Sequence, residues 1–263
     1  MWSSLDDRLN RKNLMMEKII LITGGGRGIG AACALLAAQQ GYKVCINYKT
    51  DGDAASQVVA DIENSGGTAL AIQADVSDEA DVERMFALVD KRWGRLDALI
   101  NNAGILSRQM RVDQMDAARI NRIMATNVTG SFLCAREAVR RMSTKHGGFG
   151  GNIVNISSRA AVLGSAGEYV DYAASKAAVE ALTIGLSKEV ADEGIRVNCV
   201  RPGLIHTDMH ASGGEPDRIN RLQSFVPMKR GGEPIEVAKA ALWLLSNEAS
   251  YTTGTFIDVS GGR

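Results

Sequence analysis

The 263-residue chain is 45% hydrophobic and 23% charged, which is enough apolar mass for one sizeable core and carries no mark of disorder. Thirty basic residues balance thirty acidic ones; no net field draws the chain to nucleic acid or an anionic membrane, and any phosphate it binds must be held locally. The four cysteines, Cys33, Cys45, Cys134 and Cys199, stand far apart in apolar runs without metal-ligand or redox spacing, the pattern of buried thiols in a reducing compartment.

The opening MWSSLDDRLNRKNLMM is polar where a signal-peptide core would be apolar. Residues 1–16 are expected to be an appendage free to be disordered, with Met15 and Met16 as candidate alternative starts, and residues 17–263 to be one catalytic domain. No apolar run approaches the roughly 18 residues of a membrane helix, so a cytoplasmic protein is expected. From Lys18 onward, short apolar runs alternate with stretches of helical period. The strand candidates are KIILI, YKVCINY, TALAIQAD, RLDALIN, GNIVNIS, IRVNCV and TFIDV, and helices are expected from Gly28, over 54–64, over 81–93 and over 234–245. The alternation predicts an α/β fold, a Rossmann-type doubly wound sheet of about seven parallel strands with helices on both faces. Gly41, Gly94 and Gly194 fall where left-handed residues close helical segments, and Pro234 suits a first helical turn. The one long irregular span, 203–233, leaves the sixth strand at the end where such sheets bind ligands and is expected to be a substrate lid.

The first strand runs into TGGGRGIG, Thr23 to Gly30. Gly24 allows a tight turn, Gly28 the close approach of backbone to a pyrophosphate and Gly30 close packing of the helix, while the helix start attracts the anion. A mononucleotide P-loop is excluded because no Gly-Lys-Ser/Thr follows. The second strand ends in Asn47, Tyr48, Lys49 rather than in the acid that bonds an NAD ribose. Arg27 and Lys49 can instead neutralise a 2′-phosphate, so NADP is favoured, with NAD as the alternative.

Tyr172 and Lys176 lie four apart in DYAASKAAVE and share a helix face. Of the five tyrosines only this one has lysine at that spacing. A nearby ammonium, aided by the positive charge of an oxidised nicotinamide, would favour the phenolate and make the phenol an acid–base at neutral pH. NIVNISS, ending in Ser157 and Ser158, is a strand whose hydroxyls can hold a carbonyl oxygen. His206 and His210 lack the partners of a metal set, and no metal is expected.

These residues resemble the short-chain dehydrogenases and reductases over about residues 17–263. The likeness rests on TGGGRGIG, on NNAG at Asn101 to Gly104, on Asn127 in MATNVTG, on Ser157 and Ser158, on Tyr172 and Lys176, and on RPG at Arg201 to Gly203 with Thr207 nearby. The resemblance implies that Tyr172 is the acid–base, Lys176 its pKa partner and a nicotinamide ribose ligand, Ser158 the donor to the substrate oxygen and Asn127 the support of a water-linked proton relay. It implies adenine contacts at Asp75 and Val76, a cofactor cleft lined by Asn101, Ala103 and Gly104, nicotinamide carboxamide contacts at Ile205 and Thr207, and further cofactor contacts at Ile29, Pro202 and Gly203. Ser158 precedes Tyr172 by fourteen residues where many relatives have thirteen, which keeps Ser157 in contention. The long helices around Ser131 and Tyr172 and the strand TFIDV often join family members into homodimers or homotetramers.

The reading that follows is an NADP-preferring oxidoreductase on a small-molecule secondary alcohol or ketone. EYVDYAASK with MHASGGEP is similar to sugar and polyol dehydrogenases, while the glycine loop and NNAG equally suit 3-oxoacyl carrier-protein reductases. The rival reading is a non-catalytic module that senses NADP(H) and signals to a protein partner.

Overall fold

The first strand, β1 (Ile19–Ile22), is buried along its whole length, and its alternating side chains enter two separate cores. Ile20 and Ile22 join one cluster with residues of α1 (Gly28–Gln39), α2 (Gly52–Asn64) and α10 (Pro234–Leu245). Ile19 and Leu21 join the other with residues of α3 (Glu79–Trp93) and α5 (Gly130–Met142). A strand has a side-chain period of two, so a run that is apolar at every position demands cover on both faces. The computed structural model, which describes residues 17–263, shows that cover. The seven strands are β1, β2 (Lys43–Tyr48), β3 (Thr68–Gln73), β4 (Ala98–Asn101), β5 (Gly151–Ile156), β6 (Ile195–Pro202) and β7 (Phe256–Val259). They pair parallel in the order β3-β2-β1-β4-β5-β6-β7, and the described residues form a single Rossmann-like domain. The appendage expected at residues 1–16 lies outside the described residues.

All seven expected strands are present. Helices α2 and α3 begin two residues earlier than expected because Asp51 and Asp78 cap them, their side chains accepting from the amides of Ala54 and Asp81. Gly94 closes α3 in the left-handed region at φ 76°, and α10 opens with Pro234 inside a capping box between Glu233 and Glu236. Its expected apolar face, Val237, Ala241, Leu244 and Leu245, is fully buried.

Two features were not anticipated. The span 203–233 holds two short helices, α8 (Met209–Ser212) and α9 (Arg218–Leu222), and its base is tied by a parallel bridge between Ile205 and Gly232. A second long connection follows β4, running to α4 (Ala117–Met124). It is fixed by Arg119, whose guanidinium donates to Asp171 at 2.7 Å and to the Arg108 carbonyl at 2.7 Å from a buried position. Asp171 sits in the first turn of α7 (Val170–Glu189), which follows the short α6 (Ala160–Leu163). Between α4 and α5 the helix loosens into a π turn, Ala125–Thr129, a local widening often found at functional sites. The four cysteines are free and buried. Burial pushes the thiols of Cys33, Cys134 and Cys199 up to about 12, which makes them inert rather than reactive.

Candidate active site

The strand order reverses between β1 and β4, where the chain diverges toward β2 on one side and β5 on the other, and the loops at their carboxyl ends flank a crevice. The glycine turn fills one wall. Gly24 and Gly28 take φ values of 62° and 54°, which favour glycine. A Cβ on Gly30 would stand 2.3 Å from the Gly24 carbonyl oxygen, so the first turn of α1 packs on the loop itself. A Cβ on Gly28 would stand 3.2 Å from Thr207, which brings the base of the 203–233 span against the turn. Buried Asn47 braces the turn: its Oδ1 accepts from the Gly24 amide at 3.3 Å, and its Nδ2 donates to the Ala74 carbonyl at 2.9 Å. The start of α1 has no side-chain cap and no acidic residue in its first turn. Its amides and dipole are thereby left for an anion, and the cradle fits a dinucleotide.

The second wall is made by the end of β5 and the start of α7. Ser158 stands near the Tyr172 hydroxyl, where its side chain favours the ionised phenol, and it accepts from the Ala160 amide at 3.1 Å. Ser157 faces the other way, where its hydroxyl donates to Glu180 at 2.9 Å and to the Lys176 carbonyl at 3.3 Å. Glu180 is itself held by Arg201 at 2.6 Å. One turn beyond Tyr172, buried Lys176 donates to the Ile156 carbonyl at 2.8 Å, and its Nζ lies 5.7 Å from the centre of the Tyr172 ring. Asn127, fully buried in the π turn, accepts from the Ile105 amide at 2.8 Å and donates to Ser175 on α7 at 3.0 Å. Gly104 closes the group, since a Cβ there would stand 3.3 Å from the Lys176 ammonium and 3.4 Å from Asn127 Oδ1.

Ser158, Tyr172 and Lys176 line a cavity of about 420 Å³ with Ile29, Pro202, Gly203, Ile205 and Thr207. Met209 and His210 of α8 and Arg218 of α9 complete it from the 203–233 span, with the Met209 sulfur 4.0 Å from the Tyr172 hydroxyl. Burial dominates the electrostatics, pushing Tyr172 up to about 12 against the opposing pull of the Ser158 side chain. It also pushes Lys176 down to about 8. The expected depression of the phenol is therefore not produced by the lysine alone, because removal from water penalises the charged form of both groups.

Several expected cofactor contacts sit differently from their sequence assignment. Asn101, expected to line the cleft, is buried behind it, with Nδ2 donating to Asn155 at 3.0 Å and to the Ser131 carbonyl at 3.2 Å. The cavity residue is its neighbour Asn102, whose Nδ2 donates to the carbonyls of Thr23 and Gly24 at 2.9 and 3.0 Å. Successive residues at a strand end point to opposite sides, and the sequence carries no mark of which does which. The side chain of Val76 is buried and packs on Gly130. Asp75 accepts from the Ser77 amide and hydroxyl at 3.0 and 2.7 Å and pairs with Lys49 at 2.5 Å. Lys49 is therefore not the uncommitted cation that the end of β2 suggested, whereas Arg27 stands exposed at the head of α1. Ala103 takes its place beside the turn, its amide donating to the Thr23 hydroxyl at 3.0 Å.

A family model described as enoyl-(acyl carrier protein) reductase matches residues 24–263. The chain is 60% identical over 245 residues to "Uncharacterized oxidoreductase YgfF" of Escherichia coli, covering 93% of this chain and 99% of that one. It is 38% identical to a 3-oxoacyl-[acyl-carrier-protein] reductase of Synechocystis, with 94% and 97% covered, and 37% identical to a 3beta-hydroxysteroid dehydrogenase of Eggerthella lenta, with 93% of each covered. The chain belongs to the short-chain dehydrogenase/reductase family. Solved structures of the family superimpose closely. A 3-ketoacyl-(acyl-carrier-protein) reductase of Brucella melitensis complexed with NADH gives a TM-score of 0.86 at 32% identity, with 94% of this chain and 98% of that chain covered. A short-chain dehydrogenase of Burkholderia cenocepacia in complex with NADP gives 0.85 at 34% identity, with 93% and 97% covered. The protein is an NAD(P)-dependent oxidoreductase of this family, and among the described residues no helix is long and apolar enough to cross a membrane.

Three variants of this short-chain dehydrogenase/reductase have distinct expected outcomes. Ser158→Ala is expected to lower kcat at least about a hundredfold by removing the cavity donor. Ser157→Ala is expected to keep most activity while losing about 1–2 kcal/mol of unfolding free energy in urea, because Glu180 forfeits a buried partner; the reverse pattern would exchange the two roles. Lys176 titrates near 8 in the fold but near 10.4 in the unfolded chain. Between those values the unfolded state binds more protons, so stability rises with pH across that window. Relative to Lys176→Met, the wild type is expected to gain roughly 2–3 kcal/mol between about pH 7 and 10. A constant difference in parallel urea titrations would contradict the depressed lysine.

Proposed function

We propose that the protein is an NADP-preferring oxidoreductase that exchanges a hydride between the nicotinamide and a secondary alcohol or its ketone, of sugar, polyol or 3-oxoacyl type. The observation that carries this reading is the convergence of Ser158, Tyr172 and Lys176 on one cavity whose floor adjoins the glycine turn. The nicotinamide supplies or accepts the hydride. Tyr172 delivers the proton to the substrate oxygen or removes it, and Ser158 donates a hydrogen bond that strengthens as charge develops there. Lys176 holds a positive charge one helical turn behind the phenol and favours its ionised form when the cofactor's own charge is added. Asn127 positions that end of α7 through Ser175 and supports a relay that returns the proton to water.

Arg27, Ile29, the three glycines, Thr207 and the backbone near Asp75 and Val76 would hold the dinucleotide. Arg27 is the principal cation for a 2′-phosphate, with Lys49 second because Asp75 neutralises part of its charge. The span 203–233 acts as the lid, since Met209 and His210 face the reaction centre from it. The relatives named for a 3-oxoacyl group and a 3β-hydroxysteroid share a ketone–alcohol centre, which supports the reaction class and leaves the carbon skeleton open. Exposed Phe132 on α5 and Ile184 on α7 support assembly into a homodimer or homotetramer through those helices, in a cytoplasmic setting.

The test follows nicotinamide absorbance with NADPH and NADH against ketones, sugars and acyl thioesters. Turnover is expected to favour NADPH, to fall at least about a hundredfold in Tyr172→Phe, and to lose most of its NADPH preference in Arg27→Ala. Cofactor binding without turnover of any panel member would move the sensing module ahead, and full activity in Tyr172→Phe would refute the mechanism.

A further inference from the structure

The active-site cavity holds more positive charge than hydride exchange needs. Arg159, Arg218 and Arg263 line it beside Lys176, against a single acidic side chain, Glu168. Arg159 is discharged on Asp258 at 2.7 Å. Arg218, buried, is discharged twice, on Glu168 at 2.5 Å and on Glu215 at 2.7 Å, and lies 5.0 Å over the Tyr169 ring. Arg263 is different. Its main chain is held by Ser260, whose hydroxyl donates to the Arg263 carbonyl at 3.1 Å, but among the described residues its guanidinium has no hydrogen bond or ion pair. Partial burial, and after it the like charge of Arg218, hold that guanidinium below the usual arginine range, with Glu168 opposing them. Glu168 cannot fully compensate, because it already serves Arg218 and stands 3.7 Å from Arg221.

A partly buried guanidinium that faces a cavity and has no acceptor among the described residues is free to take an anionic ligand as its partner. Its planar fork matches a carboxylate in two parallel hydrogen bonds. One uncommitted fork suits a monoanion better than a dianionic phosphate, for which Arg218 has no charge to spare. We propose that Arg263 is an anion subsite at the edge of the cavity, and that the substrate is an oxo acid or hydroxy acid whose carboxylate docks there while its carbonyl or hydroxyl meets Ser158 and Tyr172. This inference rests on the oxidoreductase reading and narrows its substrate class.

The experiment compares kcat/KM for a series of oxo acids with that for their methyl esters, in the wild type and in Arg263→Gln, with NADPH. The wild type prefers the acid at least about tenfold at the chain length that spans the cavity, and Arg263→Gln lowers the acid-to-ester ratio at least about tenfold, mainly through KM. A ratio near one in the wild type, or one untouched by Arg263→Gln while Tyr172→Phe abolishes both reactions, overturns the subsite and leaves the oxidoreductase reading standing. If neither form turns over, calorimetry with the oxo acids in the presence of NADP decides. Binding weakened at least about tenfold in Arg263→Gln retains the subsite although the reductase reading has failed, and no binding to the wild type overturns the subsite.

Discussion

Lys176 holds its ammonium in a nearly dry position with one hydrogen bond, to the carbonyl that ends β5, and the rest of the site is organised around that constraint. The bond fixes α7 against the strand end and so decides where Tyr172 stands one turn earlier. Gly104 leaves room for the ammonium, and the π turn brings Asn127 beside it and onto Ser175. The Arg119–Asp171 pair pins the first turn of α7 from the other side. Four distant segments thereby hold one phenol and one hydroxyl at the mouth of a parallel sheet.

The same dryness sets the chemistry. Without a counter-charge, burial drives Tyr172 and Lys176 toward their neutral forms, which suits the proton-donor role proposed for the phenol. The ionised phenol becomes accessible only when further positive charge enters the cavity. Under the proposed mechanism, acid–base readiness is coupled to occupancy of the dinucleotide cradle, because the glycine turn and Thr207 stand against each other at the cavity floor.

Much of this architecture was legible in the amino-acid order. Strands covered on both faces read as unbroken apolar runs, which is why all seven were found, and the phosphate turn and the Tyr172–Lys176 spacing are local patterns. What escaped was set by register and by contacts between distant segments. Ser157 and Ser158, like Asn101 and Asn102, are neighbours whose assignments turn on which side of a strand end each faces. Lys49 looked like an uncommitted cation until the β2–β3 pairing brought Asp75 to it, 26 residues along the chain. Arg218 and Arg263 meet at one cavity only because the 203–233 span and the chain after β7 both fold over the ends of β5 and β6.

The most direct test of this account is a nuclear magnetic resonance titration of ring-labelled Tyr172, with and without saturating NADP⁺, using Tyr172→Phe to assign the signal. The account predicts that the free protein's phenol stays protonated to beyond pH 11 or so, and that the cofactor lowers its midpoint by more than about one pH unit. A midpoint already near neutrality in the free protein, or one unmoved by saturating cofactor, would contradict it.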